Sequence, residues 1–104
     1  MAKFEVRLER AALEGFADLD RGDQKQVRKR LGRLEDDADQ QGITLGHKHG
    51  VNLTGNRKLV LCNMRVRVIF QVRGEVAHVI VIGKREDLQV YREAAEELQR
   101  LGWG

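Results

Sequence analysis

With 104 residues the chain is long enough for one small domain around a single core, read here as one unit over residues 1–104. Apolar residues make up 41% and charged residues 34%, which excludes an intrinsically disordered chain, and no apolar run approaches the roughly 20 residues that span a bilayer. The net charge of +3 hides a strong asymmetry. From Gln41 to Arg85 the cations Lys48, Arg57, Lys58, Arg65, Arg67, Arg73, Lys84 and Arg85 face a single acid, Glu75, so the flanks together are net acidic. A basic middle of this kind is the footprint of a protein that meets a polyanion. The lone cysteine, Cys62, excludes an internal disulfide framework, and Met1 to Glu5 lacks the apolar core of a signal peptide. Both observations predict a cytoplasmic protein.

Phe4, Val6 and Leu8 alternate with charged residues and predict a short first strand. Leu8, Ala12, Phe16 and Leu19 then follow helical spacing, so a first helix is expected from about Glu9, ended by Gly22 in a left-handed conformation. Asp23 followed by Gln26 reads as a capping box for a second helix, whose apolar stripe is Val27, Leu31, Leu34 and Ala38. The two helices are expected to form a hairpin. Gln40 to Gly55 is polar and glycine-punctuated, and it predicts a loop with a short extended piece at Ile43 to Leu45. It carries His47-Lys48-His49, a poor ligand set for a metal because no cysteine or acidic cluster accompanies it.

Three strands follow, at about Arg57 to Asn63, Arg65 to Arg73 and Glu75 to Ile82. Cys62 falls in the first of them as a buried, inert thiol. In the second, Val66, Val68, Phe70 and Val72 point one way and Arg65, Arg67, Ile69 and Gln71 the other. Gly74 marks a tight hairpin. The last strand is apolar on both faces, as a doubly covered strand should be, and His78 in it reads as a packed residue. A final helix has the stripe Leu88, Tyr91, Ala94, Ala95, Leu98 and Leu101, with Asp87 as its cap. Gly102-Trp103-Gly104 follows as a loose end from which Trp103 either folds back on the core or docks on a partner. The fold class is therefore α+β: an N-terminal helical hairpin packed on a small antiparallel sheet, closed by a C-terminal helix.

The segment Ile82 to Tyr91 carries the chemistry. An apolar strand ends in Gly83, delivers Lys84 and Arg85 to the sheet rim, and leads into a helix that presents Tyr91 in its first turns. If the register permits, Lys58 and Arg67 on the neighbouring strands reach the same rim. RNA can be cut without metal when its own 2′-hydroxyl attacks the adjacent phosphate. That reaction needs a base, an acid for the leaving 5′-oxygen, and positive charge on the phosphorane-like transition state. An arginine fork suits the non-bridging oxygens. A lysine serves as the base only where its surroundings lower its pKa from about 10.4. Tyr91 would stack on a base or hydrogen-bond near the phosphate.

The order of these residues, Arg67-Val68-Ile69-Phe70-Gln71-Val72 and then Ile82-Gly83-Lys84-Arg85-Glu86 with Tyr91 and Ala94, resembles the RelE/ParE toxin superfamily, and within it the RelE-like ribosome-dependent mRNA interferases. The resemblance covers nearly the whole chain. It implies Lys58, Arg67, Arg85 and Tyr91 as the catalytic set, and the basic middle with its loop adds Lys48, Arg57, Arg65, Lys84, His47 and His49 as expected RNA contacts, with no cofactor or metal expected. It further implies two partners, a cognate antitoxin protein and the ribosome with bound mRNA. The chain departs from the pattern at Val60, where RelE-like proteins often carry a second lysine. The base assignment therefore stays open between Lys58 and the loop histidines, whose unperturbed pKa of about 6.5 suits the task. Two other functions are compatible with the resemblance: ParE-like inhibition of DNA gyrase without catalysis, and RNA binding by an inactive relic.

Overall fold

The computed structural model describes residues 3–48, 50–84 and 86–104, with Lys48 described by its backbone alone. Strand β1 (Glu5–Leu8) leads into helices α1 (Arg10–Ala17) and α2 (Arg21–Gly32), then a single-turn α3 (Leu34–Asp37) and a 3₁₀ turn (Ala38–Gln40). Short strands β2 (Ile43–Thr44), β3 (His47–Lys48) and β4 (Val51–Asn52) precede the three longer strands β5 (Arg57–Leu61), β6 (Val66–Arg73) and β7 (Val76–Gly83), and α4 (Asp87–Leu101) closes the chain. The main sheet has the order β1-β7-β6-β5-β2. The expected antiparallel sheet is in fact mixed, because β1 runs parallel to β7. These two strands are far apart in sequence, so no tight turn dictates an antiparallel pairing.

The sheet separates two apolar layers. On one side α1, α2 and α3 bury Ala12, Val27, Leu31 and Leu34 against Leu59, Val66, Val68 and Phe70. On the other, α4 buries Val90, Tyr91, Ala94 and Leu98 against Ile69, Ile80 and Val81. The alternation expected along β6 is thus observed. Strand β7 serves both layers through a bulge: Ile69 faces Val81 and Phe70 faces Val79, so Ile80 is the extra residue. Gly15 brings α1 directly onto this strand. A Cβ added there would fall 1.7 Å from the Ile82 carbonyl oxygen, a separation no side chain can take.

Several sequence expectations need correction. Helix α1 ends at Ala17 rather than at Gly22, which lies inside α2. The cap of α2 is Asp20, whose side chain accepts from the Asp23 amide at 2.8 Å. An N-cap three residues before an acid is the stronger start signal, and it lies one turn upstream of the expected Asp23 box. Asp23 is instead buried and pairs with Arg65 at 2.7 Å. The apolar stripe of the second helix is observed but is divided among α2, α3 and the 3₁₀ turn.

The segment read as a loop holds three short strands. β2 pairs with β5, and β3–β4 form a separate hairpin that sets Val51, with Leu45 and Leu53, against the α4 layer. Its strands are two residues long, too short to leave a period in the sequence. The β5–β6 connection is a turn in which Cys62, Asn63 and Met64 all have positive φ (55°, 53° and 69°), so Cys62 lies in a turn rather than a strand. It is nonetheless buried, and burial pushes its thiol pKa up, consistent with an inert side chain. Gly74 takes φ +61° at the expected β6–β7 hairpin. The C-terminus is not loose. Gly102 caps α4 in the left-handed region and the Trp103 amide donates to the Leu98 carbonyl at 2.8 Å. Trp103 packs edge-on against His78, with centroids 4.7 Å apart, under the Arg73 guanidinium. His78 is half-buried and meets Glu9 at 3.0 Å, as a packed strand residue should.

Candidate functional site: a cation cluster beneath the C-terminal helix

Strand register decides which of the candidate side chains meet. Lys58 is opposite Ile69 and Val60 is opposite Arg67, so Lys58 and Arg67 are diagonal neighbours on one face of the sheet. Arg67 is in turn opposite Gly83, where β7 ends. Gly83 leaves room for α4: an added Cβ would come within 3.0 Å of Val90 Cγ2. The helix can therefore start directly over the two cations, with Asp87 and Tyr91 one turn apart on the same face.

The Lys58 ammonium donates to the Tyr91 hydroxyl at 2.9 Å and to Asp87 Oδ2 at 3.3 Å. Arg67 Nε donates to Asp87 Oδ1 at 2.5 Å, and one of its terminal nitrogens donates to the Met64 carbonyl at 3.2 Å. One carboxylate thus bridges two cations that are themselves well covered, with side chains 13% and 19% exposed. Burial of the Lys58 ammonium works against its charge, but the Tyr91 hydroxyl and the Asp87 carboxylate outweigh it, and the net displacement of its pKa is upward. This is opposite to the lowering that a lysine base requires. For Asp87, burial opposes ionisation and the hydrogen bond from Arg67, with the charge of Lys58, overcomes it, so its carboxyl sits below the ordinary aspartate value.

Tyr91 also departs from expectation. It is 1% exposed, with its ring in the α4 layer and the Lys58 ammonium 5.3 Å from its centroid. A ring so enclosed cannot stack on a base in this conformation; its hydroxyl is the chemically relevant part. Asp87 is not the cap of α4. Glu86 holds that position, without a side-chain bond, and Asp87 is the first helical residue. Sequence reading missed its bridging role, although its spacing from Tyr91 was the available signal.

The remaining candidates are dispersed. Arg57 faces away from Lys58, as strand alternation requires, and donates to the Gln41 carbonyl at 3.0 Å. Arg65 is bound to Asp23 on the α2 side. Lys84 is exposed and donates to the Asp18 carbonyl at 3.0 Å, at the end of α1. His47 is exposed on β3, and Lys48 pairs with Val51 across that hairpin. His49 and Arg85 lie outside the described residues. A second cationic surface went unread: α2 and the residue after it carry Arg21, Lys25, Arg28, Lys29, Arg30 and Arg33. Counting charge from Gln41 onward folded these into a flank that is acidic only as a whole. The crowding is visible at Arg30, whose pKa is lowered by burial and by neighbouring Arg33.

A recess of about 680 Å³ lies elsewhere. It separates α1 from α4 and is lined by Glu14, Asp18, Glu93 and Glu96 beside Lys84 and Arg100, an acidic setting unsuited to a polyanion. Among the described residues no three His, Cys, Asp or Glu side chains are grouped as a metal site needs. No helix among them is long and apolar enough to cross a membrane.

Comparison with known proteins bears on the fold. No protein-family model matches the chain, and no curated protein does. Solved structures do. A mutant of the E. coli toxin RelE in the free state is 26% identical, with a TM-score of 0.73 over 94% of this chain and 99% of its own. In the toxin–antitoxin complex RelBE2 from Mycobacterium tuberculosis the matching chain is 17% identical, with a TM-score of 0.67 over 84% and 97%. In the chromosomal ParDE toxin–antitoxin system from P. aeruginosa the values are 14% and 0.60, over 81% and 98%. The latter two likenesses speak to the fold alone. The α+β architecture, with α1, α2 and α3 on one side of a five-stranded sheet and a closing helix on the other, is that of a RelE-like toxin. The chain belongs to the RelE/ParE toxin superfamily.

Proposed function

We propose that this protein is the toxin of a type II toxin–antitoxin pair and a ribosome-dependent mRNA endonuclease. It would cut in the A site by attack of a 2′-hydroxyl on the adjacent phosphate. The observation that carries the reading is the convergence of Lys58, Arg67 and the Tyr91 hydroxyl on one sheet face, bridged by a carboxylate that marks an anion position. The likeness to RelE supports it. In the reaction the 2′-oxygen bonds to phosphorus, the bond from phosphorus to the 5′-oxygen breaks, and a 2′,3′-cyclic phosphate and a 5′-hydroxyl result. Arg67 balances charge on the non-bridging oxygens. Lys58, held as the ammonium, adds charge and supplies a proton to the departing 5′-oxygen, with the Tyr91 hydroxyl in line with it. The 2′-proton passes to solvent water, so that one proton leaves the 2′-oxygen for each that Lys58 gives to the 5′-oxygen. Arg85 enters this set by family resemblance. The partners of the reading are the ribosome with its mRNA and a cognate antitoxin.

The test is to add the purified protein to a reconstituted translation system and map new mRNA 5′ ends, with ribosome-free RNA as control. Cuts within the A-site codon on ribosomes only, abolished by Arg67→Ala with the circular dichroism spectrum unchanged, are the expected result. A ParE-like gyrase inhibitor is the second reading, favoured by Val60, which places an uncharged side chain opposite Arg67. Intact mRNA from folded protein, together with inhibition of gyrase supercoiling, would establish it instead.

A further inference from the structure

Asp87 stands where an incoming anion would stand. Its two oxygens reach two different cations, Arg67 Nε at 2.5 Å and Lys58 Nζ at 3.3 Å, as two oxygens of a phosphodiester would. Each cation also has an anchor besides Asp87. Arg67 has a second anchor in the Met64 carbonyl, presented by the left-handed turn, and Lys58 has one in the buried Tyr91 hydroxyl. Both are carried by neighbouring sheet strands and are largely covered, whereas the Asp87 side chain, on the first residue of α4, is 36% exposed. The carboxylate is thus the exposed, replaceable member of a cluster whose cationic members are fixed.

We propose that Asp87 is a resident anion that a nucleic-acid phosphate must displace, so that this residue sets the affinity of the Lys58–Arg67 site. The nature of the ligand rests on the nuclease reading; the exchange itself rests only on the cluster. With Asp87 present the three side chains carry one net positive charge, and without it two. One unit of charge at contact distance in a partly solvated site is worth about tenfold in affinity. Asp87 therefore holds the free protein's site at low affinity for loose RNA, and only RNA positioned by further contacts displaces it.

The measurement is fluorescence anisotropy of a fluorescein-labelled, 2′-O-methyl RNA dodecamer, which cannot undergo 2′-attack. It is titrated with the full chain, with Asp87→Asn, with Asp87→Ser, and with Asp36→Asn, an exposed acid on α3 whose loss changes net charge equally. Asp87→Ser retains a residue favourable at a helix start, should the amide variant fold poorly. The expected result is about tenfold tighter binding for both Asp87 variants, against about twofold or less for Asp36→Asn. Adding Arg67→Ala should abolish the gain. Asp87 variants that bind no tighter than Asp36→Asn, or more weakly than the parent, overturn the proposal and make Asp87 a strut for the cations. Tighter binding by a protein that cuts no mRNA on ribosomes would leave this inference standing and remove the nuclease reading; an active nuclease without tightening would do the reverse.

Discussion

Glu97 is the residue on which the attachment of α4, and with it the cation cluster, can be tested most sharply. It is 6% exposed, yet charged. Its Oε2 accepts from the Ala11 amide at 3.0 Å, and both oxygens accept from Arg100, at 2.7 and 2.9 Å. Helix α1 has no side-chain cap of its own at Glu9, so a residue of α4 serves one of its free N–H groups. A charge-assisted bond of this kind contributes about 1.5–3 kcal/mol. The Arg100 pair, with the arginine 40% exposed, adds at most about 1 kcal/mol after screening. Glu97→Ala should therefore cost about 2–4 kcal/mol and lower Tm by about 10–20 °C. Glu97→Gln keeps an acceptor for Ala11 and should recover roughly half of this. Both are read by circular dichroism and by fluorescence of Trp103, the only tryptophan, which follows α4 directly. The sign of the pH dependence is fixed as well. The hydrogen bond from Arg100 leads in holding the Glu97 carboxyl below its ordinary value, against burial and with help from Ala11. Its contribution is then complete above the unfolded pKa of about 4.3 and is lost as pH falls through the folded value. The gap between parent and Glu97→Gln must narrow on acidification. A Tm for Glu97→Ala within about 3 °C of the parent would refute the reasoning, because it would mean that Ala11 is satisfied without α4.

Three further outcomes are expected. Tyr91→Phe removes one buried hydroxyl while keeping the ring in the core, so it should cost only about 1–2 kcal/mol by urea denaturation yet reduce mRNA cleavage at least about tenfold; equal cleavage would remove the hydroxyl from the mechanism. Gly15→Ala should cost about 3 kcal/mol or more, since the new Cβ would meet the Ile82 carbonyl and force α1 off the sheet; a parental Tm would show that α1 can move freely. Gly83→Ala, which presses only on the Val90 methyl at 3.0 Å, should cost about 1 kcal/mol in stability but displace the start of α4 and lower cleavage more than Tm; a loss in stability without a loss in cleavage would contradict the role given to that glycine.

The long, strongly periodic elements were legible from the chain. Strand β6 alternates as expected, α4 has its stripe, and the diagonal pairing of Lys58 with Arg67 follows once β5 and β6 are joined in register. Illegible were features set by tertiary contact. The two-residue strands β2, β3 and β4 leave no period, and the partner of β1 is chosen across the whole chain. The environment of Lys58 was misjudged because charge composition counted neighbouring cations and overlooked Asp87, a residue whose sequence position suggested only a helix cap. Of the two roles expected for Tyr91, burial disfavours stacking and leaves hydrogen bonding: the helical stripe that buries Leu98 and Ala94 also buries Tyr91, and a residue on the apolar face offers its hydroxyl sooner than its ring.

The turn between β5 and β6 shows what the cluster demands of the fold. Cys62, Asn63 and Met64 each lie in the left-handed region, at a cost of roughly 1–2 kcal/mol per residue, with asparagine the best suited of the three. Such a turn persists only where its surroundings over-determine it. Here Cys62 is buried, and Arg65 immediately after the turn is fixed to buried Asp23, so both ends are tied to α2. The Met64 carbonyl is thereby held 3.2 Å from the Arg67 guanidinium. Two-residue turns could close the same strands without this cost, but they would not present a carbonyl to Arg67 from this side. The strain, the pairing of exposed Arg65 with buried Asp23 and the orientation of Arg67 are thus parts of one arrangement. It gives the arginine an anchor that does not involve Asp87, which is the condition that exchange of Asp87 for a phosphate requires.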